Sequence, residues 1–106
     1  MSVDLSGKAA VVTGSGRGLG KAYAKALAAA GADVVVNDVD ADAAHETVAE
    51  IEAAGGRATS VVAPVGSAET ADALVAAAVE AFGGLDILVA NAGVLRDRVL
   101  WKTSDE

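Results

Sequence analysis

Four short apolar, β-branched runs recur along the chain, separated by alanine-rich stretches whose apolar positions return every three or four residues. The runs are Ala9-Ala10-Val11-Val12-Thr13, Val34-Val35-Val36-Asn37, Thr59-Ser60-Val61-Val62 and Ile87-Leu88-Val89-Ala90. Apolar throughout rather than alternating, they predict strands covered on both faces. The stretches between them carry helical spacing. The first, Leu19 to Ala30, sets Leu19, Tyr23 and Leu27 one turn apart. The second turns Val48 and Ile51 inward and leaves Glu46, Glu50 and Glu52 in water. The third puts Leu74, Ala78 and Phe82 on one face, with Val75 and Val79 beside it. Gly31, Gly55-Gly56 and Gly83-Gly84 follow these stretches and mark helix ends. A βαβαβαβ rhythm predicts an α/β fold with a parallel sheet. Right-handed crossovers around a central turn favour the strand order 3-2-1-4. In that order the far edge of the fourth strand lacks a neighbour, an aggregation hazard.

Composition narrows the classes. A chain of 106 residues holds one domain, and it contains no linker or low-complexity segment. Eight basic against fifteen acidic residues give a net charge of −7, which repels phosphate backbones and argues against nucleic-acid binding. A single anionic cofactor is still admissible, because backbone N–H groups supply local positive charge where side chains do not. Without cysteine there is no disulfide scaffold and no thiolate metal site. No run of 18 apolar residues predicts a membrane span. Met1-Ser2-Val3-Asp4-Leu5, with its early acid, does not read as a signal peptide. The expectation is a cytoplasmic protein.

The chemistry begins at Thr13-Gly14-Ser15-Gly16-Arg17-Gly18-Leu19-Gly20, which joins the first strand to the first helix. Glycines let this backbone bend sharply and approach a ligand without a Cβ clash. The following helix aims its free N–H groups at an anion such as a pyrophosphate. The G-x-G-x-x-G spacing is not met, because its last position falls on Leu19 or Lys21. A P-loop is excluded as well, since Gly20-Lys21 is followed by Ala22. T-G-x-x-x-G-x-G fits, through Thr13, Gly14, Gly18 and Gly20.

With this turn in place, and with Asn91-Ala92-Gly93 just after the fourth strand, the chain resembles the short-chain dehydrogenase/reductase family over essentially its whole length. T-G-x-x-x-G-x-G is similar to the cofactor fingerprint of the family's compact branch, and Asn91-Ala92-Gly93 to its N-A-G signature. The resemblance implies a Rossmann-type doubly wound sheet, of which residues 1–106 form the N-terminal dinucleotide-binding part. It implies cofactor contacts at Gly14, Gly16, Arg17, Gly18, Leu19 and Gly20 and at Asn91, Ala92 and Gly93, with Asn91 also bracing the central strands and lining the cofactor path. Asp38 ends the second strand, 18 residues beyond Gly20, where a carboxylate accepts hydrogen bonds from ribose hydroxyls and repels a 2′-phosphate. This favours NAD over NADP; Arg17, which in the family can help hold a phosphorylated ribose, keeps NADP open. Ala63-Pro64-Val65 lies where the family carries an Asp followed by Val beside the adenine. Pro64 offers neither carboxylate nor N–H, leaving backbone contacts from Ala63 or Val65.

Other candidates read as structure. His45 sits among Asp42, Glu46 and Glu50 as a solvated side chain, and these acids read as a wet face rather than a metal cluster. Tyr23 has no lysine four residues on and reads as helix packing. Arg96, Arg98 and Lys102 around Trp101 form a small basic patch, either plain surface or the rim for an anionic substrate tail. The resemblance implies a catalytic Ser, a Tyr and a Lys four residues after it, all beyond residue 106, so the chain is expected to bind cofactor without catalysing. Thr103-Ser104-Asp105-Glu106 matches a capping box that would open a further helix. The favoured reading is the front part of an NAD-dependent oxidoreductase acting on a secondary alcohol. Its residues 36–38 and 91–98 look like members acting on 3-hydroxyacyl thioesters, including the dehydrogenase units of peroxisomal-type multifunctional enzymes. The family implies a small-molecule substrate and a homo-oligomer for the full protein. The alternative is a complete, non-catalytic nucleotide-binding or interaction module.

Overall fold

Valines at the centre of the chain decide the architecture. A computed structural model describes residues 4–16, 18–64, 68–90 and 98–101. Its elements are β1 (Ala9–Val12), α1 (Gly18–Ala29), β2 (Asp33–Asp38), α2 (Ala41–Ala53), β3 (Arg57–Val62), α3 (Ala68–Phe82), β4 (Ile87–Ala90) and β5 (Arg98–Trp101). Successive side chains of a strand point to opposite faces. Ala10, Val12, Val34 and Val36 therefore meet Ala24 of α1 and Ala44 and Ile51 of α2 on one face. Val11 and Val35 meet Leu74 and Ala78 of α3 on the other. Both faces of β1 and β2 are covered, which is why their sequences are apolar without alternation. Each buried valine contributes roughly 1.5–3 kcal/mol relative to exposure.

The strand order is β3-β2-β1-β4-β5. β1 pairs in parallel with β2 and β4, and β2 with β3, so the 3-2-1-4 arrangement holds. One expectation is corrected: the far edge of β4 is not bare. β5 lies antiparallel on it, pairing Ile87 with Trp101 and Ala90 with Arg98. An edge strand carrying unsatisfied N–H and C=O groups gains a partner in this way.

Helix ends and faces follow local chemistry, with two departures. Gly31, Gly55 and Gly83 adopt positive φ just past the three helices, as their positions predict. Asp40 caps α2, its carboxylate accepting the Ala43 N–H at 3.2 Å. On α1 the buried positions are Gly20 and Ala24, whereas Leu19 is 53% exposed; Tyr23 and Leu27 pack only partly against the core. On α3, Val75 and Val79 face outward. No helix of the described residues is long and apolar enough to cross a membrane.

Candidate functional site

The C-terminal ends of β1, β2 and β3 converge on the glycine turn. Gly14 has φ of +61° and Gly18 of +63°, conformations that side-chain-bearing residues rarely adopt. They reverse the chain between β1 and α1, so that α1 begins at Gly18 directly beyond the sheet edge. A helix start of this kind can receive an anion on its backbone N–H groups.

Gly16 is the tightest point. Its N–H donates to Asp38 Oδ2 at 2.9 Å. A Cβ at this position would lie 2.8 Å from both that oxygen and the Ala43 Cβ. The turn therefore seats against β2 and α2 only because residue 16 is glycine. Asp38 is 9% exposed. Its Oδ1 accepts the Asp40 N–H at 3.1 Å. Each carboxylate oxygen retains acceptor capacity, so two neighbouring hydroxyls of a sugar could be received without displacing either bond.

Behind this pair lies a buried polar scaffold that sequence reasoning left without a role. Ser15 and Asn37 are fully buried. The Ser15 N–H donates to Asn37 O at 2.6 Å and the Asn37 N–H donates to Ser15 Oγ at 2.9 Å. The Ser15 hydroxyl in turn donates to Val12 O at 2.6 Å. The Asn37 amide nitrogen donates to Val61 O at 3.0 Å and Ala63 O at 3.2 Å, while its Oδ1 accepts the Gly14 N–H at 3.4 Å. One side chain thus ties the glycine turn to the end of β3. The signal was legible: an Asn closing an otherwise apolar central strand must find buried partners. Thr47, also fully buried, donates from its hydroxyl to Gly16 O at 3.1 Å.

The structure brings together Gly14, Gly16, Gly18, Leu19, Gly20 and Asp38 at this edge. Leu19, expected among the contacts, is open to solvent beside the turn. The Ala63 N–H donates to Asp38 O at 3.1 Å, so the segment leading to exposed Pro64 is joined to the same strand end. Arg17, Val65, Asn91, Ala92 and Gly93 lie outside the described residues, as do Arg96, Lys102 and the capping box at 103–106.

Other charged groups serve the outer surface. Lys21 and Lys25 donate to the Glu50 carboxylate at 2.8 and 2.9 Å. Hydrogen bonding by Lys21, then Lys25, holds the Glu50 carboxyl below the usual range, and the bond to Glu50 raises Lys21. Glu50 is thus an ion-pair partner rather than simply a wet side chain. His45 is exposed. Among the described residues no three His, Cys, Asp or Glu side chains are grouped to hold a metal ion. A groove of about 530 Å³ opens between α1 and α2, beside Lys25, Glu50, Ile51 and Ala54. No residue of the glycine turn lines it, nor does Asp38.

Residues 8–106 match the short chain dehydrogenase family. A hydroxyacyl-CoA dehydrogenase of Mycobacterium tuberculosis is 53% identical over 110 residues, covering 99% of this chain and 34% of the relative. Peroxisomal multifunctional enzyme type 2 of Mus musculus is 46% identical over 109 residues, 94% of this chain and 14% of the relative. The crystal structure of a short chain dehydrogenase from Mycobacterium avium superposes with a TM-score of 0.81 at 47% identity, over 92% of this chain and 37% of that one. A 7α-hydroxysteroid dehydrogenase complexed with NADH and 7-oxo glycochenodeoxycholic acid gives 0.77 at 44% identity, over 80% and 33%. The chain spans about a third of the length of the Mycobacterium tuberculosis relative and a smaller share of the multifunctional enzyme.

Proposed function

The chain belongs to the short chain dehydrogenase family, and from that membership we propose that it forms the N-terminal, dinucleotide-holding part of an oxidoreductase interconverting a secondary alcohol and a ketone. The observation that carries this reading is the bond from the Gly16 N–H to the Asp38 carboxylate at the mouth of α1. It sets an anion-receiving helix start beside a sugar-receiving carboxylate, the two features a nicotinamide dinucleotide requires. Gly14, Gly16, Gly18, Leu19 and Gly20 would line the diphosphate, with Arg17 beside it, and Asp38 would hold the adenosine ribose. Val65 would approach the adenine through its backbone, and Asn91, Ala92 and Gly93 would line the path toward the nicotinamide. When bound, the coenzyme supplies a hydride acceptor or donor. This chain's own residues bind and orient it, and the acid–base groups belong to the remainder of the full protein.

NAD is the favoured coenzyme, because the Asp38 charge would face the 2′-phosphate of NADP across a buried contact. A 3-hydroxyacyl thioester is the favoured substrate, supported by the likeness to a hydroxyacyl-CoA dehydrogenase. A cysteine-free composition fits a reducing, cytoplasmic setting, and membership of the family favours a homo-oligomer for the full protein. The test is Asp38→Ala, titrated with both coenzymes. NAD affinity falls about tenfold or more while NADP affinity holds or rises; unchanged NAD affinity removes Asp38 from the site.

A further inference from the structure

Thr47 occupies a core-facing position of α2, on the stripe that carries Ala44 and Ile51. A threonine inside a helix ordinarily turns its hydroxyl back to the carbonyl four residues earlier. Here the hydroxyl leaves its own helix and reaches Gly16 O, 31 residues away in sequence, at 3.1 Å. The Gly16 residue is consequently held from two sides: its C=O by α2 through Thr47, its N–H by β2 through Asp38. Ala43, one turn before Thr47, closes the third side, since it would meet a Cβ on residue 16 at 2.8 Å. Rotation of this backbone segment would swing the N–H away from the Asp38 carboxylate, and the Thr47 bond opposes that rotation.

We infer that Thr47 is a positioning residue for coenzyme choice: by pinning the Gly16 carbonyl it keeps the Gly16 N–H on Asp38, and so keeps the carboxylate where it accepts a ribose diol and repels a 2′-phosphate. Thr47 touches no coenzyme atom in this account; it acts through Gly16 and Asp38. The inference rests on the proposed dinucleotide reading and adds the means by which α2 governs it.

Thr47→Val keeps the shape and removes the hydroxyl, and Thr47→Ser keeps the hydroxyl. Dissociation constants for NAD and NADP are measured for both variants and the wild type, alongside thermal melting. Thr47→Val lowers the NADP-to-NAD ratio of dissociation constants about fivefold, the size of one ordinary hydrogen bond. Thr47→Ser restores the wild-type ratio. A purely structural role would change melting and leave the ratio alone, which overturns the inference, as does a Thr47→Ser ratio no better than that of Thr47→Val. Should Thr47→Val not fold, Thr47→Ala takes its place with the same two outcomes. Folded wild-type protein that binds neither coenzyme overturns the dinucleotide reading itself; wild type that prefers NAD, with an unaltered ratio in the variant, overturns only the part given to Thr47.

Discussion

Two aspartates close the same strand, one at each end of β2, and their surroundings differ throughout. Asp33, at the start, pairs with the Arg57 guanidinium at 3.2 Å. Arg57 is 66% exposed, and its guanidinium also lies 5.3 Å from the centre of the Phe82 ring. Asp38, at the end, meets no cation among the described residues and is held by two backbone N–H groups in a buried setting. A surface ion pair gains little net energy and is screened by salt. A buried carboxylate bound by peptide N–H groups cannot be released without leaving those donors unpaired. The first arrangement fastens the sheet. The second holds a charge at a defined place, which is what a recognition site needs.

Variants at the Asp38 end should cost the most. Gly16→Ala forces a methyl group against the Ala43 Cβ and the Asp38 carboxylate, and is expected to cost about 2–3 kcal/mol of stability along with NAD binding. Denaturant unfolding and coenzyme titration check both, and a variant as stable as wild type would show that the turn is not seated as described. Next comes Asn37→Leu, which strands the carbonyls of Val61 and Ala63 and the Gly14 N–H. A loss of about 1–2 kcal/mol, unaffected by 0.5 M salt, is the expected result. At the opposite end, Asp33→Asn should change stability by less than about 1 kcal/mol, with the difference shrinking in salt. A large, salt-independent loss there would erase the contrast between the two ends.

The smallest effect belongs to Glu50→Gln, on the outer seam between α1 and α2. The lowered Glu50 carboxyl stabilises the fold above the ordinary glutamate range, and that gain disappears as pH falls through the folded-state value. The raised Lys21 works in the other direction: its contribution is present below the ordinary lysine range and is lost as pH rises through its folded-state value. The difference in melting between variant and wild type should therefore be flat between about pH 6 and 9, vanish toward acid, and weaken with salt. A difference that grows in acid would mean that Glu50 is held otherwise.

The strands and their order were legible because apolar runs on a βα rhythm admit few topologies. Helix stops were legible at Gly31, Gly55 and Gly83, where the letter itself reports the backbone. The covering of β4 by β5 was not, since Arg98–Trp101 is too short and too mixed to announce a strand before its partner is known. Leu19 misled because helical spacing alone does not say which stripe faces inward. Gly20 and Ala24 take the close contact with the sheet, and their small size is the reason they can. At the site, Asp38 was visible from its distance to the turn. Asn37 entered only as part of the second apolar run and of residues 36–38, and Thr47 drew no reading, because a sequence does not display which carbonyls and N–H groups such side chains meet.

The most direct test is a calorimetric titration of the folded chain with NAD and, separately, NADP. Saturable heat with one NAD per chain and at least tenfold weaker binding of NADP is the expected result. No heat above dilution from either coenzyme, or tighter binding of NADP, would contradict it.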